Sequence, residues 1–207
     1  MIELPTTRLS LLVRIRDARD DEAWRRFVAA YAPVVFGFAT RKGLQEADAA
    51  DLTQDVLQAV ARAAPGWTYD RQRGTFRGWL YTVARNKLRD FLTERRRRPG
   101  CERDGNDLLE ERPAPAEEEQ TIWEQEYDRQ LFVRAAEAIR PEFTEATWRA
   151  FWQVAVEGQG RAAVAAELGL TLGAVYIATS RVLKRLKEQT RRLQEEDAGG
   201  GVSRGAP

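Results

Sequence analysis

The sequence predicts an all-α chain of two small helical domains: an N-terminal helical bundle and a C-terminal four-helix domain with a helix-turn-helix, joined by an acidic linker. Three observations predict it. Apolar residues recur at three- and four-residue spacings in two separate blocks. No stretch alternates in the two-residue rhythm of a half-buried strand. Between the blocks lies a segment with no periodicity at all. Its limits divide the 207 residues into an N-terminal domain over 1–99, a linker over 100–120, a C-terminal domain over 121–195 and a disordered Gly-rich tail over 196–207.

In the first block, Leu9, Leu12 and Val13 begin the helical rhythm, and Trp24, Phe27, Val28 and Tyr31 continue it. Asp20 or Asp21 suits the N-cap of that second helix, and Pro33 is expected to interrupt it. Leu52, Val56, Ala59, Val60 and Ala63 form the next stripe, which Pro65-Gly66 ends. The last helix opens after Thr75, a suitable cap, buries Phe76, Leu80, Val83, Ala84, Leu88 and Phe91, and runs into Arg95–Arg98 before Pro99-Gly100.

Residues Cys101–Gln120 carry eight acids against two bases, a net of −6, together with Pro113 and Pro115. Such a segment repels itself and stays extended, as a linker should. Beyond it, Ile122, Trp123, Tyr127, Leu131, Ala135 and Ile139 mark one helix, and Phe143, Trp148, Phe151, Trp152 and Ala155 mark another.

Residues Gly160–Lys187 then read as a helix-turn-helix. A short helix over Arg161–Leu168 ends at Gly169, where a tight turn calls for positive φ. Leu170 plugs the turn, Thr171 caps a second helix, and Val175, Ala178, Val182, Leu183 and Leu186 face inward. The opposite face offers Thr171, Gly173, Ala174, Tyr176, Ile177 and Ser180, followed by Arg181, Lys184 and Arg185. In such motifs the start of the second helix meets base edges and flanking cations hold phosphates. A plain helical hairpin with a solvated basic face has the same pattern.

The helix after Thr75 carries a second cationic set. Arg77, Arg85, Asn86, Lys87 and Arg89 accompany its apolar stripe, with Trp67, Tyr69 and Trp79 nearby. Cations interleaved with aromatic rings suit a single strand whose bases are unstacked and captured; a Trp at helical spacing also suits a core, and an Arg run suits a solvated helix end. A third feature is the polar row Asp51, Gln54 and Asp55, opposite the Leu52 stripe. It fits either acids placed near a helix start or a docking surface for a partner helix.

What the composition excludes narrows the field. With 33 Lys+Arg and 32 Asp+Glu the net charge is +1, but the charge is segregated along the chain. There is no histidine, so imidazole catalysis and His-containing metal sites are excluded, and the single cysteine, Cys101, rules out an internal disulfide. No apolar run spans a bilayer, so membrane insertion is not expected and a cytoplasmic protein is. No cofactor, metal or catalytic residue is expected.

Taken in order, these pieces resemble the extracytoplasmic-function sigma factors, the minimal group of bacterial RNA polymerase sigma subunits. Asp51-Leu-Thr-Gln-Asp-Val56 is similar to the family segment that docks on the clamp helices of the polymerase β′ subunit. Gly74–Asn86, with the Arg-rich stretch after it, is similar to the helix that recognises and melts the minus-ten element. Gly169–Arg181 is similar to the family's last domain, which reads the minus-thirty-five element. The recognition helix departs from the family pattern, with Tyr176 in place of a usual cation and Ala178 in place of a usual Arg. The resemblance implies a non-catalytic subunit whose partners are RNA polymerase core (β and β′), promoter DNA and, in some members, an anti-sigma factor. It also implies that the acidic linker lies on a nucleic-acid path as a charge mimic. The rival reading is a stand-alone helix-turn-helix regulator; these usually bind as symmetric dimers, and no heptad seam is present.

Overall fold

The computed structural model describes residues 11–69, 75–97, 116–198 and 202–204, nearly all of them helical. The elements are α1 (Leu11–Arg14), α2 (Asp21–Arg41), α3 (Glu46–Ala63), β1 (Trp67–Tyr69), α4 (Phe76–Arg97), α5 (Ala116–Ile139), α6 (Glu145–Ala155), α7 (Arg161–Leu168), α8 (Leu172–Ala198) and β2 (Val202–Arg204), with 3₁₀ turns at Ala64–Gly66 and Arg140–Glu142. The all-α class holds. The tail from residue 196, expected to be disordered, carries structure: α8 continues to Ala198, and β2 pairs with β1 antiparallel in the register Trp67–Arg204, Thr68–Ser203, Tyr69–Val202. Three-residue strands are too short to leave an alternation in the sequence.

Contacts divide the chain into two units, Met1–Gln130 with Glu196–Pro207, and Leu131–Glu195. In the first unit, Asp20 is the N-cap of α2 and accepts the Ala23 amide at 3.0 Å. Arg14 donates to the same carboxylate at 2.8 and 2.9 Å and holds its pKa below the ordinary value, with the Ala23 amide adding to the effect. Pro33 does not interrupt α2, contrary to expectation. A proline in a helix loses its own amide bond and crowds the carbonyl four residues before it, a cost of about 3 kcal/mol, and the burial around it outweighs that: Tyr31, Val34, Val35 and Phe38 are all in the core. That core also takes Phe27 from α2, Leu52, Val56 and Val60 from α3, and Phe76, Leu80, Ala84 and Leu88 from α4. Phe76 meets Phe27 and Tyr31 edge-on at 5.8 and 5.2 Å.

Helix α5 begins at Ala116, inside the stretch expected to be linker, so Glu117, Glu118 and Glu119 form its first turn. Three acids there are favoured by the helix dipole. Its first half also belongs to the first unit, where an independent C-terminal domain from residue 121 was expected. The reason is packing. Trp123, 1% exposed, sits edge-on to Phe38 at 5.5 Å and against Tyr81 at 5.8 Å. The buried Glu126 lies against Gly37, where a Cβ would approach its Cγ to 2.8 Å.

The second unit has two cores. Ala135, Ala136, Ile139, Trp148, Phe151, Val182 and Leu186 form one, and Ala150, Val164, Ala165, Val175 and Ala178 form the other. Leu183, expected inward, is 38% exposed. Ala162, Ala163 and Ala166 are exposed as well, while Ala165 of α7 and Ala178 of α8 are buried in the second of these cores.

Candidate protein and nucleic-acid interfaces

On α3, burial of Leu52, Thr53, Val56 and Val60 fixes the rotation of the helix. Asp51, Gln54 and Asp55 consequently face solvent as one row. Lys87 Nζ lies 3.9 Å from Asp55, and Arg95 lies 3.8 Å from Asp48. Pairs this long between partly exposed groups are weak, worth at most about 1 kcal/mol, and leave the row open to a stronger partner.

Helix α4 starts as expected: Thr75 Oγ1 accepts the Gly78 amide at 3.2 Å. Its polar side chains divide between two sides. Asn86 and Arg89 are exposed. Arg77 and Arg85 turn toward α5, where the Arg77 guanidinium stacks over the Tyr127 ring at 4.4 Å and lies 3.8 Å from Glu124. Arg85 Nε donates to Glu119 at 2.6 Å, and Lys42 Nζ approaches the same carboxylate at 3.4 Å. Glu119 is nearly buried, so these two cations are its compensation. Beside them Tyr81 is half-buried, and this desolvation pushes its hydroxyl pKa up. Trp79 is half-buried with its ring 5.6 Å from Phe76. Of the six residues expected on the minus-ten surface, two are therefore engaged by α5, and nothing in the sequence spacing pointed to that partner.

In the second unit, α7 ends at Gly169 with φ +63°, and the chain turns through 105° into α8. Perpendicular helices joined by a short Gly-containing turn are the helix-turn-helix geometry. Leu170 packs on the core beneath the turn, and Thr171 Oγ1 accepts the Ala174 amide at 3.1 Å. Thr171, Gly173, Tyr176, Ile177, Ser180, Arg181 and Lys184 are all exposed, and Ala174 is half-buried. Arg185 differs from its neighbours, for it makes two 2.7 Å bonds to Glu142, which raise its pKa. It therefore anchors α8 to the 3₁₀ turn after α5. Arg161, which the sequence reading passed over, lies over the Tyr176 ring at 4.7 Å.

Among the described residues, no group of three or more Cys, Asp or Glu is placed to hold a metal ion, and no single helix is long and apolar enough to cross a membrane. The expected linker segment 100–115 lies outside the described residues.

Comparison with known proteins adds the following. Residues 27–98 match the family described as Sigma-70 region 2. The chain is 28% identical over 180 residues to the ECF RNA polymerase sigma factor RpoE of Cereibacter sphaeroides, covering 87% of this chain and 93% of the relative. It is 28% identical over 188 residues to the ECF RNA polymerase sigma factor SigE of Mycolicibacterium smegmatis, covering 88% of this chain and 68% of the relative. Among solved structures, CnrH in complex with the cytosolic domain of CnrY matches at 21% identity and a TM-score of 0.34, over 88% of this chain and 96% of that one.

Proposed function

As this chain belongs to the extracytoplasmic-function sigma factors and is an alternative sigma subunit directing transcription initiation, we propose how its surfaces divide that work. The Asp51, Gln54 and Asp55 row on α3 docks on the β′ subunit of core polymerase. The exposed part of α4, carrying Asn86 and Arg89, meets the minus-ten element with Trp79 beside it; Lys87 joins that surface once Asp55 is taken by polymerase. Arg77 and Arg85 contribute there through α4's seating on α5 as much as by direct contact. The outward face of α8, from Thr171 to Lys184, reads the minus-thirty-five element.

Neither contact alone needs high affinity, since the second becomes effectively intramolecular once the first has formed. Capture of unstacked bases at α4 offsets an unstacking cost of a few kcal/mol per step. Nucleotide transfer belongs to the polymerase, and the place of work is the cytoplasm with it. We count an anti-sigma factor among the partners on family grounds alone.

The observation that carries this reading is the α3 row: three polar side chains held outward by a buried apolar stripe, with the long Lys87–Asp55 pair the one ion pair on the row among the described residues. A stand-alone repressor has no use for such a surface. Asp51→Arg with Asp55→Arg is therefore expected to abolish co-purification with core polymerase and promoter-dependent transcripts, with the helical circular dichroism spectrum retained. If the double variant still co-purifies with core, the docking assignment is wrong.

A further inference from the structure

The outward face of α8 changes character along its length. Its first two turns present Leu172, Tyr176 and Ile177, which are 49%, 53% and 60% exposed, and they carry no charge. Cations begin at Arg181 and continue at Lys184 and Lys187, all exposed. From Leu172 to Lys187 there is no acid. Ile177 and Lys184 are seven residues apart, about 10 Å along a helix, close to the roughly 12 Å width of a B-DNA major groove. Arg161 fixes one edge of the apolar end by covering the Tyr176 ring at 4.7 Å.

An acid-free face with a cationic far end complements a polyanion. The apolar end is the N-terminal end, the part of a recognition helix that enters the groove. Ile177 and Leu172 have no hydrogen-bonding group and so are blind to the donors and acceptors of base edges. The apolar group that a duplex presents in its major groove is the C5-methyl of thymine. We infer that Ile177, flanked by Leu172 and Tyr176, reads thymine methyl groups in the upstream promoter element, so that this part of the element is selected by apolar contact rather than by hydrogen bonds. The inference rests on the assignment of α8 to duplex DNA made above.

The test uses holoenzyme reconstituted from the full chain and core polymerase. A duplex library randomised over the upstream element is selected for binding, and the selected duplex is remade with deoxyuridine for thymidine, one position at a time. Loss of the methyl at one or two positions is expected to weaken binding about three- to fivefold each, the scale of one buried methyl. Ile177→Ala, at an exposed position that keeps the fold, should bind the thymine and uracil duplexes alike. Lys184→Ala should weaken both equally and preserve their ratio.

Equal binding of thymine and uracil duplexes by the unaltered chain, or a ratio that Ile177→Ala leaves intact, would overturn the inference; DNA reading by α8 would survive if Lys184→Ala still weakened binding. If no upstream sequence is enriched and Lys184→Ala has no effect, the assignment of α8 fails and takes the inference with it. A free chain that sediments as a dimer and becomes a monomer on Ile177→Ala would give this face to a second copy, which also overturns it.

Discussion

Gly37 shows how much of this fold rests on single positions. It lies in the middle of α2, where alanine would ordinarily be favoured by about 1 kcal/mol. Here a Cβ would overlap the carboxyl of Glu126 and come within 2.8 Å of its Cγ. Glu126 has little room to yield: it is 2% exposed and is held by Arg129 at 2.8 Å and Gln130 at 2.8 Å. Gly37→Ala is therefore expected to destabilise the first unit by about 1–3 kcal/mol, the scale of an overpacked core. In a Glu126→Ala background the same change should be neutral or favourable, because the obstruction is gone. Denaturant titration of the four proteins measures this, and a penalty of equal size in both backgrounds would disprove the steric account. The sequence alone shows a helix-weakening glycine at 37 and a glutamate at 126 that reads as solvated. Only their juxtaposition explains either, and periodicity carries no information about juxtaposition. Thr75, Gly169 and Thr171 were legible because their work is local: two caps and a left-handed turn act on the next few residues.

Helix α5 carries the same lesson to the scale of elements. Its apolar spacing announced a helix around Trp123, and a helix is there. What spacing does not reveal is that the first half of that helix completes the first unit, with Trp123 against Phe38 and Tyr81 and Glu119 against Arg85 and Lys42. The run of acids misdirected the reading, because Glu117–Glu119 looks like linker until one of the three is seen to neutralise a cation on α4. Nor did the Pro33 signal survive, since the lost amide bond and the crowding by the ring, about 3 kcal/mol together, are outweighed by the burial around it. Trp123→Ala in the full chain should cost the first unit about 3–5 kcal/mol, as for other large-to-small changes in a core. Hydrogen exchange resolves where the loss falls: amides of α2 and α4 should exchange faster, and those of α7 and the first turns of α8 should not. Uniform acceleration through α8 would mean that the two units unfold as one, contrary to the division of contacts.

For the molecule as a whole, the near-zero net charge of +1 conceals separate charged surfaces, and a polyanion responds to the local surface. Three exposed cations, Arg181, Lys184 and Lys187, lie on the outward face of α8 with no acid among them. Each phosphate neutralised on duplex DNA releases counterions and contributes about −0.9 to the slope of log K against log salt. Removing Lys184 or Lys187 by alanine substitution should therefore flatten the slope of holoenzyme binding to an upstream duplex by about 0.9 each. Arg185 supplies the control, because its guanidinium is already committed to Glu142 by two 2.7 Å bonds. Arg185→Ala should leave the salt slope nearly unchanged while lowering the melting temperature of the second unit. If all three substitutions flattened the slope alike, position on α8 would matter less than charge, and the intramolecular bond would be too weak in solution to withhold Arg185 from DNA. If only the two lysines did so, the measurement would separate the cations that grip phosphate from the one that holds the helix in place to grip it.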